Sequence, residues 1–170
     1  MKIPYVNLNL QWKKERKNLL KIIDQTLGED KWVGGKHIDK FEKKISKICK
    51  TKYAVGLNSG TDALTLGLHL MGVRKGDEVI TVPNSFVASV GVIVHLGARP
   101  ILIDVLDDQT MDPKLLEKAI TKKTKAIMPV HLTGRISEML EINKIAKKYN
   151  IPVIEDAAQC IGSKYYGNPA

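Results

Sequence analysis

From residue 53 onward, short apolar runs alternate with segments of helical character, and this alternation constrains the fold more than any other feature of the chain. The apolar runs are 53–57 (YAVGL), 78–82 (EVITV), 101–105 (ILIDV), 125–130 (KAIMPV) and 151–155 (IPVIE). Between them lie helix-like stretches at 61–71, 85–96, from 113 to about 120, and 136–149. Asp112-Pro113 marks one helix start, with Asp as N-cap and Pro in the first turn. The runs are continuously apolar, as strands are when helices cover both faces of a sheet. The pattern predicts an α/β domain built on a mostly parallel sheet with flanking helices. A chain of 170 residues is long enough to bury a real core.

Two helices precede that pattern. Trp12, Leu19, Ile23 and Leu27, with Leu20 beside them, predict an amphipathic helix over 12–27 that Gly28 ends. Ile38, Phe41, Ile45 and Ile48 predict a second over 38–49, with its lysines facing away from the apolar stripe. The loop KWVGGKH joins them. Residues 1–52 therefore read as an N-terminal helical segment and 53–170 as part of the α/β domain, the two forming one structural unit.

The net charge is +9, and much of it is local. Residues 13–21 carry five positive charges and one negative, and 36–52 carry seven lysines against Asp39 and Glu42. A basic nucleic-acid-binding module is thus one reading. Against it, the 27 basic residues include only 4 arginines, the better readers of bases and phosphates. Aromatic content is 5%, with no aromatic-basic interleaving for stacking on single strands. A solvated lysine face is favoured, with no nucleic-acid partner. No stretch approaches eighteen consecutive apolar residues, and the N-terminus lacks an apolar signal region, so a cytoplasmic protein without membrane attachment is expected. Cys49 and Cys160 are far apart in sequence and show no metal-ligand spacing, which suggests reduced thiols and no metal site.

Ligands of open α/β sheets bind beyond the carboxyl ends of the strands. The residues that follow each run are therefore the candidates. After 53–57 comes NSGTDAL: Ser59, Gly60 and Thr61 lead straight into a helix. Free amides and the positive helix end there can hold a phosphate, although Ser or Thr can equally be a plain cap. It is neither GxxxxGK[ST] nor GxGxxG. Phe86 follows the next strand, as a core or a pocket aromatic. His131 ends another, beside LTG. Asp156 follows the last, where a carboxylate is costly unless paired, so a cationic partner at the pocket floor is expected. Glu155 should point to the opposite side of its strand.

Four of these motifs occur in an order that resembles the DegT/DnrJ/EryC1/StrS family of sugar aminotransferases: VGLNSGTDALTLGL, GDEVITVPNSFVAS, PVHLTGR and VIEDAAQ. The N-terminal WVGGKHIDKFEKKI is similar to the family's loop and helix ahead of the cofactor domain. The resemblance implies the large domain of a fold-type-I enzyme that uses pyridoxal 5'-phosphate, cut short before its lysine and small domain. It implies that Gly60 and Thr61 bind the cofactor phosphate, that Phe86 stacks on the ring, and that Asp156 pairs with the protonated ring nitrogen. Gln159 would contact the cofactor from the same loop. Ser59 and His131 are further candidates for cofactor or substrate, and Trp32 to Gly35 for the border of the sugar site. The substrates implied are a nucleotide-activated keto sugar and an amino donor, glutamate, in nucleotide-sugar and polysaccharide biosynthesis, with a homodimer as the working form.

The family's Schiff-base lysine is expected beyond residue 170, and Lys164 reads as a surface residue. On that reading residues 1–170 contain no catalytic lysine and are inactive alone. A dehydratase of the same family, with histidine in place of that lysine, is the alternative within the fold. A non-catalytic scaffold is the alternative outside catalysis.

Overall fold

The computed structural model describes residues 4–29 and 32–170. The chain opens with helix α1 (Leu8–Leu27), capped by the Asn7 side chain, which accepts from the Leu10 amide at 3.0 Å. This cap starts the helix four residues ahead of the expected position. Helix α2 (Lys36–Ile48) follows Gly34 and Gly35, whose φ values of 71° and 91° turn the chain in a way that favours glycine. The parallel-sheet domain then comprises α3 (Gly60–Leu70), β1 (Glu78–Thr81), α4 (Val87–His95), β2 (Arg99–Leu102), α5 (Pro113–Ala119), β3 (Thr124–Ile127) and α6 (Met139–Tyr149). A two-stranded antiparallel hairpin, β4 (Lys164–Tyr165) and β5 (Asn168–Pro169), completes the described chain. Among the described residues, no helix is long and apolar enough to cross a membrane.

The sheet order is β2-β1-β3, all parallel. Strand β1 is the central one and is buried along its whole length. Its side chains alternate between two cores. Ile80 joins Leu116, Ile127 and Ile142 under α5 and α6, whereas Val79 joins Leu68, Ile93 and Met128 under α3 and α4. The sheet is therefore covered on both faces, as its continuous apolar runs predict.

Three expected strands differ from what forms. Residues 53–57 form no strand: Tyr53 and Val55 are 72% and 74% exposed. A strand needs a neighbour to pair with, and among the described residues none lies beside this run. Its Gly56 amide instead donates to the Glu42 carboxylate of α2 at 2.7 Å. The run expected at 101–105 is shifted back to 99–102 and includes Pro100, which an edge strand tolerates. The run 151–155 is a broken fourth line beside β3, made of the bridges Ile127–Val153 and Val130–Asp156. Pro129 and Pro152 have no amide to donate, so a continuous ladder cannot form there. Four backbone bonds still hold this line in parallel register, from Ile127 N to Pro152 O at one end to His131 N to Asp156 O at the other.

Candidate functional site

The carboxyl ends of the strands open on a cleft of about 260 Å³. Gly60, Thr61, Phe86, His131, Asp156 and Gln159 all line it, although they come from four separate stretches of sequence. Close packing brings them together. A Cβ added at Gly67 of α3 would lie 2.5 Å from the Ile154 Cδ1, so this helix sits tightly on the strand line that ends in Asp156.

The first wall is the start of α3. Ser59 is the N-cap, and its hydroxyl accepts from the Asp62 amide at 3.1 Å. Its side chain is thus engaged in closing the helix and does not line the cleft. The next two amides, Gly60 and Thr61, have no hydrogen-bond partner among the described residues, as the first turn of a helix dictates. Both residues line the cleft, and a Cβ at Gly60 would meet nothing within 4 Å, so the space beside this glycine is open. Two free amides at the positive end of a helix form an anion site.

The second wall is Phe86, the N-cap residue of α4, which is 72% exposed. An apolar ring left open at the edge of a cleft is a surface for another flat group.

Asp156 forms the floor. Its Oδ2 accepts from the Ser89 hydroxyl at 2.8 Å, and its Oδ1 has a long contact of 3.4 Å from the Ala158 amide. The expected cationic partner is not found there: among the described residues, no Lys, Arg or His nitrogen pairs with Asp156. A charge at the floor of the cleft is left with acceptor capacity facing inward.

His131 and Gln159 knit two loops together. The His131 ring is fully buried. Its Nδ1 accepts from the Ser137 amide at 3.2 Å, which leaves the proton of a neutral ring on Nε2, 2.7 Å from the Glu155 carboxylate. Glu155 does point away from Asp156, as strand alternation predicts, but it is more than a neighbour: it anchors the histidine. The Gln159 Oε1 accepts from the Thr133 amide at 2.7 Å, and the Ser163 hydroxyl donates to the Gly134 carbonyl at 2.8 Å. Thr133 holds a left-handed φ of 56°, which these bonds stabilise. Nearby, burial pushes the Cys160 thiol up, and the Glu155 and Asp156 charges add to the effect. The thiol is therefore a poor nucleophile.

Two expectations fall outside the cleft. Trp32 and Val33 are 74% and 93% exposed and do not line it. Lys164 lies at a separate surface depression beside Arg135 and Tyr165, in keeping with a surface role. The contacts that sequence reading missed are Ser89 to Asp156 and Glu155 to His131. Only the alternation of Glu155 and Asp156 hinted at either.

The model of the DegT/DnrJ/EryC1/StrS aminotransferase family matches residues 13–170, and the chain belongs to this family. It is 39% identical to the dTDP-3-amino-3,6-dideoxy-alpha-D-galactopyranose transaminase of Aneurinibacillus thermoaerophilus, over 97% of this chain and 46% of that protein. It is also 39% identical to the UDP-2-acetamido-2-deoxy-3-oxo-D-glucuronate aminotransferase of Pseudomonas aeruginosa, again over 97% of this chain and 46% of that one. Among solved structures, Streptomyces venezuelae DesV in complex with a ketimine intermediate superposes with a TM-score of 0.95 at 35% identity, covering 99% of this chain and 46% of that one. The chain thus spans a little under half the length of the relatives it matches.

Proposed function

We propose that the whole protein is a pyridoxal 5'-phosphate-dependent aminotransferase that acts on a nucleotide-activated keto sugar, with glutamate as amino donor. One observation carries this reading. A single cleft brings together two free helix-start amides, an open aromatic face and a carboxylate without a protein cation. These are the needs of a flat ring that bears a phosphate at one end and a protonated nitrogen at the other. The names of the relatives support the substrate class. They carry different nucleotides, dTDP and UDP, so the choice of nucleotide lies in features they do not share.

When bound, pyridoxal phosphate supplies the electron sink that lets an amino group pass from a donor to a keto sugar. The chain's own residues bind and orient. The Gly60 and Thr61 amides, with the Thr61 hydroxyl, hold the phosphate. Phe86 covers one ring face. Asp156 holds the proton on the ring nitrogen. Gln159 has its oxygen tied to Thr133, which leaves its amide N–H groups to donate into the cleft. His131 has both ring nitrogens engaged, so it contributes a wall and no mobile proton. Among the described residues no lysine lines the cleft. The described residues therefore supply no lysine base for proton transfer at the amino-bearing carbon, and the proposed turnover belongs to the whole protein.

The test is Asp156→Asn in the whole protein. The rate should fall by roughly a hundredfold or more, the scale seen when one preorganised electrostatic group is lost. The cofactor should stay bound, because the phosphate contacts are untouched. Unchanged turnover would count against the reading. In the same proposal the whole protein is a homodimer, which would give the open apolar side chains of α1 and α2 a partner. Sedimentation as a monomer at micromolar concentration would contradict that part.

A further inference from the structure

We propose that Ser89 is a positioning residue for Asp156, and that a hydroxyl chain running Ser85 to Ser89 to Asp156 selects which carboxylate oxygen meets the ring. The inference rests on the reading that Asp156 faces the ring nitrogen of the cofactor. Ser89 lies in the first turn of α4 and is completely buried. A hydroxyl at that depth must be hydrogen-bonded. It has two partners, each at 2.8 Å: the Asp156 Oδ2 and the Ser85 Oγ.

The direction of the chain follows from proton counting. A hydroxyl has one proton. Ser89 donates it to Asp156, so toward Ser85 it can only accept. Ser85 is therefore the donor to Ser89. This arrangement occupies Oδ2 from one side. Oδ1 has only the 3.4 Å contact from the Ala158 amide, so it is the oxygen left for a donor in the cleft.

The choice of a hydroxyl is chemically specific. An Arg or Lys at position 89 would also orient the carboxylate, but its positive charge would weaken the pull of Asp156 on a protonated ring nitrogen. Serine orients without neutralising. It also belongs to the turn that Phe86 caps: the Ser89 amide donates to the Phe86 carbonyl at 3.0 Å. One helix start thus sets both the aromatic wall and the carboxylate that faces it.

The experiment measures the affinity of the full chain for two probes. One is pyridoxamine 5'-phosphate, and the other is its analogue with carbon in place of the ring nitrogen. Both share every contact except the one to Asp156, so the ratio of their dissociation constants reports that contact alone. Wild type should favour the nitrogen ring, and Asp156→Asn should abolish the preference. Ser89→Ala should lower the ratio by roughly threefold to tenfold, the scale of one buried hydrogen bond. Ser89→Thr, which keeps the hydroxyl, should restore it. Ser85→Ala, at the half-buried end of the chain, should lower it less, and it carries the test if Ser89→Ala does not fold. A preference lost in Asp156→Asn but kept intact in Ser89→Ala, or in Ser85→Ala if that variant carries the test, overturns the role of Ser89 and leaves the Asp156 reading standing. No preference in wild type overturns both.

Discussion

The N-terminal segment and the parallel-sheet domain are both rich in apolar residues, but only one of them has a core. In the domain, Ile80, Leu116, Ile127, Ile142 and Met128 are completely buried. In α1, not one residue is buried, and Ile22, Ile23 and Leu27 are about half exposed. The α2 stripe is open too, at Ile38, Phe41 and Ile48. Both segments have helical periodicity. What differs is the partner surface: a stripe on a helix is buried only where a sheet or another helix faces it. Periodicity thus predicts which face is apolar, and packing decides whether that face becomes a core.

Paired substitutions sharpen this contrast. Ile80→Ala should destabilise the chain by about 2–5 kcal/mol, the usual cost of a large-to-small change in a packed core. Ile22→Ala in α1 should shift stability by less than about 0.5 kcal/mol, as surface changes do. Chemical denaturation with one common probe measures both. Equal costs would show that α1 is packed against something.

A second contrast lies within exposed aromatics. Phe86 and Tyr53 are equally open at 72%. Phe86→Ala should weaken binding of pyridoxamine phosphate by roughly threefold to tenfold, since stacking adds to buried area. Tyr53→Ala should leave it unchanged. A calorimetric titration separates them, and matched losses would remove Phe86 from the cleft's chemistry.

A third contrast is between two amides tied by different side chains, Thr133 by Gln159 and Gly56 by Glu42. Gln159→Ala removes the acceptor for the Thr133 amide, a bond worth about 1 kcal/mol. That amide should exchange with deuterium about fivefold faster, while the Gly56 amide of the unpaired 53–57 run stays as it was. No change at Thr133 would show that the two loops are held by other means.

The smallest effect belongs to the exposed Glu117–Lys148 clip between α5 and α6, with its 2.6 Å contact. The bond from Lys148, then that from Tyr149, holds the Glu117 carboxyl below its ordinary value, and Glu117 raises Lys148 in return. A lowered carboxylate stabilises the fold above its ordinary range and loses that contribution as pH falls through its folded value. The raised lysine contributes below its ordinary range and loses its contribution as pH rises through its folded value. Glu117→Gln should therefore lower the melting temperature slightly at neutral pH and not at all in strong acid. Added salt should shrink the difference.

The sequence made the fold legible wherever local chemistry decides. Asp112-Pro113 starts a helix because the Asp112 side chain accepts from the Lys114 amide at 2.8 Å, an interaction within three residues. The cleft was legible for the same kind of reason, because residues just past a parallel strand must face its carboxyl edge. What local chemistry does not reveal are features that depend on distant partners. Residues 53–57 have a strand's composition and no strand beside them. The line 151–155 has the composition too, and proline interrupts its ladder. Ser89 and Asp156 are 67 positions apart, and Glu155 and His131 are 24 apart. No spacing rule connects such pairs, so the bonds that orient the site emerged only from packing.

In the proposed function, one cleft, between the start of α3 and Asp156, holds a phosphate-bearing pyridine ring. Amide hydrogen exchange of the chain with and without pyridoxamine 5'-phosphate tests it most directly. Exchange should slow at Gly60, Thr61 and residues 156–159, with α1 and α2 unchanged. Protection confined to the basic helices α1 and α2, with Gly60 and Thr61 exchanging as before, would contradict it.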